Sequence, residues 1–201
     1  MKRIGLFGGT FDPIHNAHIA MGHMCADALG LDKVIYIPTG VMHHKGSPVQ
    51  SPHVRFEMVK LAVSGADGFE ASDYETNKLT PSYSTETVGH FKKLYPDSEL
   101  VFILGEDSLD YIEQWHDAER LLRMCSFAVI GRGGSAEKIG AEAARLKEKY
   151  GTQIYYVHSQ VMDISSREIR RMAANGEKIE EFVPEAVCEY IARNGLYKAE
   201  E

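Results

Sequence analysis

Residues 8–18 read Gly8-Gly9-Thr10-Phe11-Asp12-Pro13-Ile14-His15-Asn16-Ala17-His18 and follow directly on the apolar run Ile4-Gly5-Leu6-Phe7. A short buried strand that runs into two glycines lets the backbone approach a ligand closely. A helix beginning near Asn16 would aim unsatisfied N–H groups at bound phosphates. His18 then falls in the first helical turn, where the macrodipole is equivalent to roughly half a positive charge, and His15 sits in the turn before it. The junction points to nucleotide chemistry.

Outward from this junction, strand-like apolar runs recur at Arg3–Phe7, Val34–Pro38, Phe69–Tyr74, Leu100–Leu104, Phe127–Ile130 and Ile154–Val157, and nearly every gap between them holds a helical pattern. That alternation places the chain in the α/β class, as a parallel sheet with helices packed on it. In the first helix Ala17, Met21, Met24, Cys25 and Ala28 form one stripe, and Gly30 offers a stop. The second opens on Ser51-Pro52, a cap and first-turn pair. A third starts near Ser84 and cannot pass Pro96, a fourth segment after Gly105 carries Leu109, Ile112 and Trp115, and another spans about Glu137 to Lys149. The tail turns helical, with one helix introduced by Ile164-Ser165-Ser166 and ended by Gly176, and a last one beginning at Pro184. The stretch from Thr39 to Ser51 is the most loop-like, and long loops at strand ends of open α/β sheets are where ligands bind.

A chain of 201 residues suffices for one well-buried core, and no compositional break demands a second domain, so one domain over 1–201 is expected. Twenty-two Lys and Arg against 29 Asp and Glu give a net charge of −7, which argues against bulk attraction to nucleic acid or an anionic membrane and requires any phosphate site to be concentrated. Cys25, Cys125 and Cys188 show no CxxC or Cys/His spacing, so reduced thiols, no protein-held metal and a cytoplasmic location are expected. The first apolar run is too short for a signal peptide and no run approaches a membrane span.

Neither a GxGxxG fingerprint nor a GxxxxGK[ST] loop is present, which disfavours dehydrogenase and P-loop readings. A second constellation, Ile164-Ser165-Ser166-Arg167-Glu168-Ile169-Arg170, puts two hydroxyls at a helix start and a guanidinium one turn later, a set that can converge on a triphosphate. Capping alone explains the serines but does not require Arg170. Trp115 suits a flat aromatic ring or a protein core. Asp107 contacts a ribose, reaches a Mg²⁺ hydration shell, or caps the next helix. Lys45, and Arg132 within Gly131-Arg132-Gly133-Gly134, can neutralise a phosphate or simply be solvated.

His15-Asn16-Ala17-His18 resembles the (H/T)xGH signature of the nucleotidyltransferase α/β phosphodiesterase superfamily, with Ala17 where glycine is usual, and residues 164–170 resemble its ISSTxIR motif, with Arg167 in place of Thr. Gly105-Glu106-Asp107-Ser108-Leu109 followed by Trp115-His116 resembles the GADS-L…W pattern of bacterial nicotinate-mononucleotide adenylyltransferases. His44-Lys45 stands for the end of PPHK, Ser82–Thr87 for SYTxDT, and Tyr190-Ile191…Gly195-Leu196-Tyr197 for the terminal motif. The resemblance spans essentially the whole chain.

It implies a Rossmann-like sheet with a helical C-terminal end, and transfer of the adenylyl group of ATP to nicotinate mononucleotide, giving deamido-NAD and pyrophosphate in NAD biosynthesis. It implies catalytic roles for His15, His18 and Arg170. ATP would be held by Gly8, Gly9, Thr10, Phe11, His18, Gly105, Asp107, Ile164, Ser165, Ser166 and Arg170, and would arrive with Mg²⁺. The mononucleotide would be held by Lys45, Ser84, Thr85, Trp115 and Arg132. No nucleic acid or membrane partner is implied, and a homo-oligomer is compatible. Two rivals stand beside this reading: an adenylyltransferase for nicotinamide mononucleotide or phosphopantetheine, and a noncatalytic nucleotide-binding module, which would keep the glycines yet could dispense with the histidines and Arg170.

Overall fold

A computed structural model describes residues 1–41, 49–131, 136–159 and 164–198. Six strands, β1 (Arg3–Gly9), β2 (Lys33–Pro38), β3 (Phe69–Ala71), β4 (Glu99–Gly105), β5 (Ser126–Gly131) and β6 (Ile154–His158), form a sheet in the order β3-β2-β1-β4-β5-β6. β1 pairs in parallel with β4, β4 with β5, and β5 with β6. The order reverses between β1 and β4, and in open α/β sheets ligands bind outside the carboxyl ends of strands at such a reversal. Both the Gly8–His18 stretch and the Gly105-Glu106-Asp107 stretch leave from these two strand ends.

The helices among the described residues are α1 (Asn16–Leu29), α2 (Pro52–Val63), α3 (Ser84–Leu94), α4 (Glu106–Leu109), α5 (Ala118–Met124), α6 (Ala136–Tyr150), α7 (Ser166–Ala174) and α8 (Glu185–Arg193), with a 3-10 turn at Ile112–Gln114. Gly30 (φ +59°) stops α1 and Gly176 (φ +70°) follows α7, conformations that cost glycine nothing. Ser51 caps α2 by accepting from the Val54 N–H. Two expectations change. Ala28 lies exposed rather than on the buried stripe of α1. The expected strand to Tyr74 ends at Ala71 because the Ser72 hydroxyl accepts from the Tyr74 N–H and turns the chain.

The described residues pack as two compact units. The first comprises Met1–Gly8, Met21–Ile35 and Ser82–Gln160. Its core is the near-continuous apolar runs Leu100–Leu104 and Phe127–Ile130 with Ile4 and Leu6, the signature of parallel strands covered on both faces. At the amino ends of its strands Arg3 donates to Glu99, Leu29 and Tyr155, while Glu99 also accepts from Ser126. The second unit comprises Gly9–Ala20, Tyr36–Pro81 and Val161–Glu201. Its core gathers Phe11, Ile14, Tyr36, Met58, Val59, Ile169, Val187 and Tyr197, with the guanidinium of Arg55 fully buried among them.

Candidate active site

In the second unit the turn after β1 is built on Asp12, which is 2% exposed. Its Oδ1 accepts from the Tyr197 hydroxyl at 2.7 Å and its Oδ2 from the Val49 N–H at 2.7 Å. Arg55, invisible as anything but a helical arginine in the sequence, donates to the carbonyls of Thr10 (2.7 Å), Thr39 (2.6 Å) and Gln50 (3.2 Å). A buried guanidinium of this kind is tolerated because its donors meet carbonyls and its charge faces Asp12, Tyr197 and Glu75. Burial and Asp12 together push the Tyr197 hydroxyl far above its usual range, so it remains a donor.

Phe11 adopts φ +49°, the left-handed region that non-glycine residues enter only where surroundings hold them. Its ring packs edge-on to His18 with centroids 5.0 Å apart. A β-carbon placed on Gly9 would come within 2.7 Å of that ring, which gives Gly9 a steric reason. Phe11 is therefore a buried support beneath His18. Thr10, half-buried, spends its carbonyl on Arg55.

His15 and His18 stack with centroids 3.6 Å apart and planes 25° from parallel. The His15 N–H donates to Nδ1 of His18 at 3.4 Å, and a ring nitrogen that accepts leaves the proton on Nε2. Burial lowers His15 to about 4, and burial with the neighbouring His15 lowers His18 well below the usual histidine range. The pair is neutral near pH 7. Nδ1 of His15 is buried and lacks a hydrogen-bond partner. Ala17 is 2% exposed, so its extra methyl packs inside the fold.

The start of α1 differs from expectation. The Asn16 N–H donates to the Phe182 carbonyl at 2.8 Å, and the His18 and Ile19 N–H groups donate to the His15 carbonyl. The Asn16 and His18 N–H groups are thus engaged within the protein, while Ile19 makes the ordinary i→i−4 bond of the helix.

The segment 164–170 comes to the same turn. Ser166 Oγ donates to the Pro13 carbonyl at 2.9 Å, and Arg170 Nη1 donates to the Asp12 carbonyl at 2.6 Å. Ser165 caps α7 by accepting from the Glu168 N–H, while Ile164 is half-buried and Arg167 exposed. The two sequence motifs meet at Asp12-Pro13, which is joined by a cis peptide bond.

The first unit carries a second group of expected residues. Gly105 and Asp107, with Met21, Glu106, Ile130, Gly131 and Ser159, line a cleft of about 340 Å³ at the carboxyl ends of β4 and β5. Gly8 lies against Phe102, to whose ring a β-carbon on Gly8 would come within 3.4 Å. Trp115 is half-buried and meets the same Phe102 edge-on, centroids 6.1 Å apart. Ser84 opens α3. Thr85, expected at the mononucleotide, is 2% exposed and its hydroxyl donates to the His116 carbonyl at 2.8 Å. Lys45 and Arg132 lie outside the described residues. Among the described residues no three or more His, Cys, Asp or Glu side chains group so as to hold a metal ion, no helix is long and apolar enough to cross a membrane, and the three cysteines are free.

A family model described as cytidylyltransferase-like matches residues 6–172, from β1 into α7. The chain belongs to the cytidylyltransferase-like family. Within this family it is 39% identical to a Clostridium kluyveri protein over 98% of this chain and 100% of that one, and 40% identical to one from Clostridium botulinum over 100% of each. Both bear the name "Probable nicotinate-nucleotide adenylyltransferase". Among solved structures, the Plasmodium falciparum nicotinic acid mononucleotide adenylyltransferase complexed with NaAD aligns with a TM-score of 0.77 at 21% identity, covering 98% of both chains. That likeness speaks for the fold: a Rossmann-like parallel sheet flanked by helices, as expected for the family.

Proposed function

We propose that this chain transfers the adenylyl group of ATP to nicotinate mononucleotide, forming deamido-NAD and pyrophosphate, a step of NAD biosynthesis. The observation that carries the reading is the meeting of two distant motifs, with Ser166 and Arg170 bonded to the carbonyls of Pro13 and Asp12 beside the His15–His18 pair. The names of the full-length relatives support the choice of acceptor.

A phosphate oxygen of the mononucleotide forms a bond to the α-phosphorus of ATP while the bond from that phosphorus to the β-bridging oxygen breaks. The bonding pair leaves with pyrophosphate. The acceptor is already an anion at neutral pH, so no general base and no covalent intermediate are called for. What the protein supplies is alignment, on the order of 7–11 kcal/mol in favourable cases, and relief of repulsion between two anions. His18, neutral and protonated on Nε2, donates a hydrogen bond to the transferring phosphate. Arg170 contributes the fixed positive charge, with His15, Ser165 and Ser166 completing the set. ATP would arrive with a divalent metal ion, Mg²⁺ being the one proposed, which would help to neutralise charge on the triphosphate.

Gly105 and Asp107 line the cleft proposed for ATP, and Ser84 and Trp115 are proposed for the mononucleotide, Trp115 by stacking. The whole of 1–201 is proposed as one nucleotidyltransferase domain, a view supported by a family match that runs through segments of both units. The three free thiols accord with a cytoplasmic setting.

The test is a parallel assay of pyrophosphate release from ATP with nicotinate mononucleotide, nicotinamide mononucleotide or phosphopantetheine as acceptor. Selective turnover of the first supports the proposal. Equal or better turnover of another acceptor replaces it, and release with none of them favours a noncatalytic nucleotide-binding module.

A further inference from the structure

Thr85, within the Ser82–Thr87 segment, does work that its place in the sequence does not suggest. Thr85 is 2% exposed, and its Oγ1 is within hydrogen-bonding distance of two successive carbonyls, His116 at 2.8 Å and Asp117 at 3.3 Å. Asp117 has φ +51°, a left-handed conformation that a non-glycine residue holds only when its surroundings fix it. It also receives no side-chain help as the residue before α5, since its carboxylate makes no capping bond. Two residues before Thr85, the Tyr83 ring stacks on His116 with centroids 4.0 Å apart and planes at 27°.

The start of α3 therefore grips the chain just after Trp115, by its backbone through Thr85 and by a ring through Tyr83. The chain just before Trp115 is held separately. Ile112 is buried, and Glu113 accepts from Arg145, Lys149 and Tyr150 of α6. The Trp115 N–H closes the 3-10 turn on the Ile112 carbonyl. Trp115 itself is half-buried, with a single ring neighbour, Phe102, among the contacts described for it. Its position is thus set by what holds its flanks.

We propose that Thr85 is a positioning residue for the mononucleotide: its hydroxyl, with the Tyr83–His116 stack, fixes the Trp115-His116-Asp117 backbone so that the indole face is held ready for the pyridine ring. This deepens the proposed function and rests on the assignment of Trp115 to the mononucleotide. The Thr85 hydroxyl is spent on the His116 and Asp117 carbonyls and acts on the substrate through Trp115.

Trp115 is the only tryptophan of the chain, so its emission reports on this segment alone. The experiment compares the full-length chain with Thr85→Val, which keeps the shape and removes the hydroxyl, Thr85→Ser, which keeps the hydroxyl, and Tyr83→Leu, which removes the stack from a half-buried site. Two readouts are taken: acrylamide quenching of Trp115 without substrate, and steady-state KM for nicotinate mononucleotide and for ATP. Thr85→Val is expected to raise the quenching constant and to raise KM for the mononucleotide about tenfold, the scale of one lost buried hydrogen bond, with KM for ATP within about twofold. Thr85→Ser should restore both readouts, and Tyr83→Leu should shift them in the same direction by less. Unchanged quenching in both Thr85→Val and Tyr83→Leu overturns the clamp whatever the activity, and so does an equal rise in both KM values. An enzyme that adenylylates no mononucleotide overturns the function instead, leaving the quenching readout to judge the clamp.

Discussion

Arg170 donates Nη1 to the main-chain carbonyl of Asp12 at 2.6 Å, across 158 residues of sequence. The bond holds one edge of the guanidinium and leaves the rest of a planar, permanently charged fork directed by that anchor. The anchor is itself fixed: the Asp12 carboxylate is held by Tyr197 and Val49, and the preceding Thr10 carbonyl by Arg55. The cation proposed for catalysis is thus anchored on the same turn that carries the two histidines.

Tyr197→Phe removes the donor to Asp12 Oδ1 from a buried site without changing shape. The carboxylate keeps its Val49 bond and the nearby Arg55 charge. Stability should fall by about 1–3 kcal/mol, read as a lower urea midpoint at constant slope. A variant as stable as the parent would show that Asp12 does not need this bond.

The histidine pair makes stability depend on pH. Both rings are held neutral in the fold, His15 with a value lowered from 6.5 to about 4. Between those values the unfolded chain binds more protons than the folded one, so stability rises with pH through the window from about 4 to 6.5 and is lost as pH falls through it. The His15 shift alone corresponds to on the order of 3 kcal/mol. Thermal unfolding of the parent and of His15→Asn across this range should show a shallower slope in the variant. Parallel slopes would contradict the assignment of the shift to His15.

Gly9→Ala places a methyl group 2.7 Å from the Phe11 ring, which is locked between Gly9, His18 and Tyr36. Overpacking of this kind costs roughly 1–3 kcal/mol. Because the ring also supports His18, turnover should drop more than tenfold in the fraction that remains folded, measured as pyrophosphate release per folded molecule. Normal turnover in a stable Gly9→Ala chain would show the ring free to move.

Trp115→Ala removes the proposed stacking face and leaves the His15–His18 turn untouched. KM for the mononucleotide should rise about five- to tenfold, in line with the 0.5–1.5 kcal/mol that aromatic pairs contribute beyond their area, while KM for ATP stays within about twofold. A change confined to ATP would move Trp115 to the other substrate.

β1, β2, β4 and β5 were legible because parallel strands covered on both faces must be written as near-unbroken apolar runs, whereas β3, Phe69-Glu70-Ala71 at the sheet edge, is only partly buried and its end was not. α5 was not legible, since it has only seven residues and Asp117 before it, though of a capping type, is left-handed and makes no capping bond. At the site, glycines, histidines and Arg170 were legible as residue types. Their supports were not: Arg55 looks like any helical arginine, although it falls beside Met58 and Val59 on the buried face of α2. The engagement of Asn16 by Phe182 and the spending of the Thr85 hydroxyl on His116 are long-range pairings that no local pattern announces.

The most direct measurement is a double-mutant cycle on turnover with His18→Ala, Arg170→Ala and the double variant, with ATP affinity followed separately by equilibrium binding. If the two side chains act on one triphosphate, each single change should lower kcat by about 10²–10³ with a smaller effect on ATP binding, and the double variant should lose clearly less than the product of the two. Losses that multiply cleanly, or that fall entirely on ATP affinity while kcat stands, would contradict a single shared site.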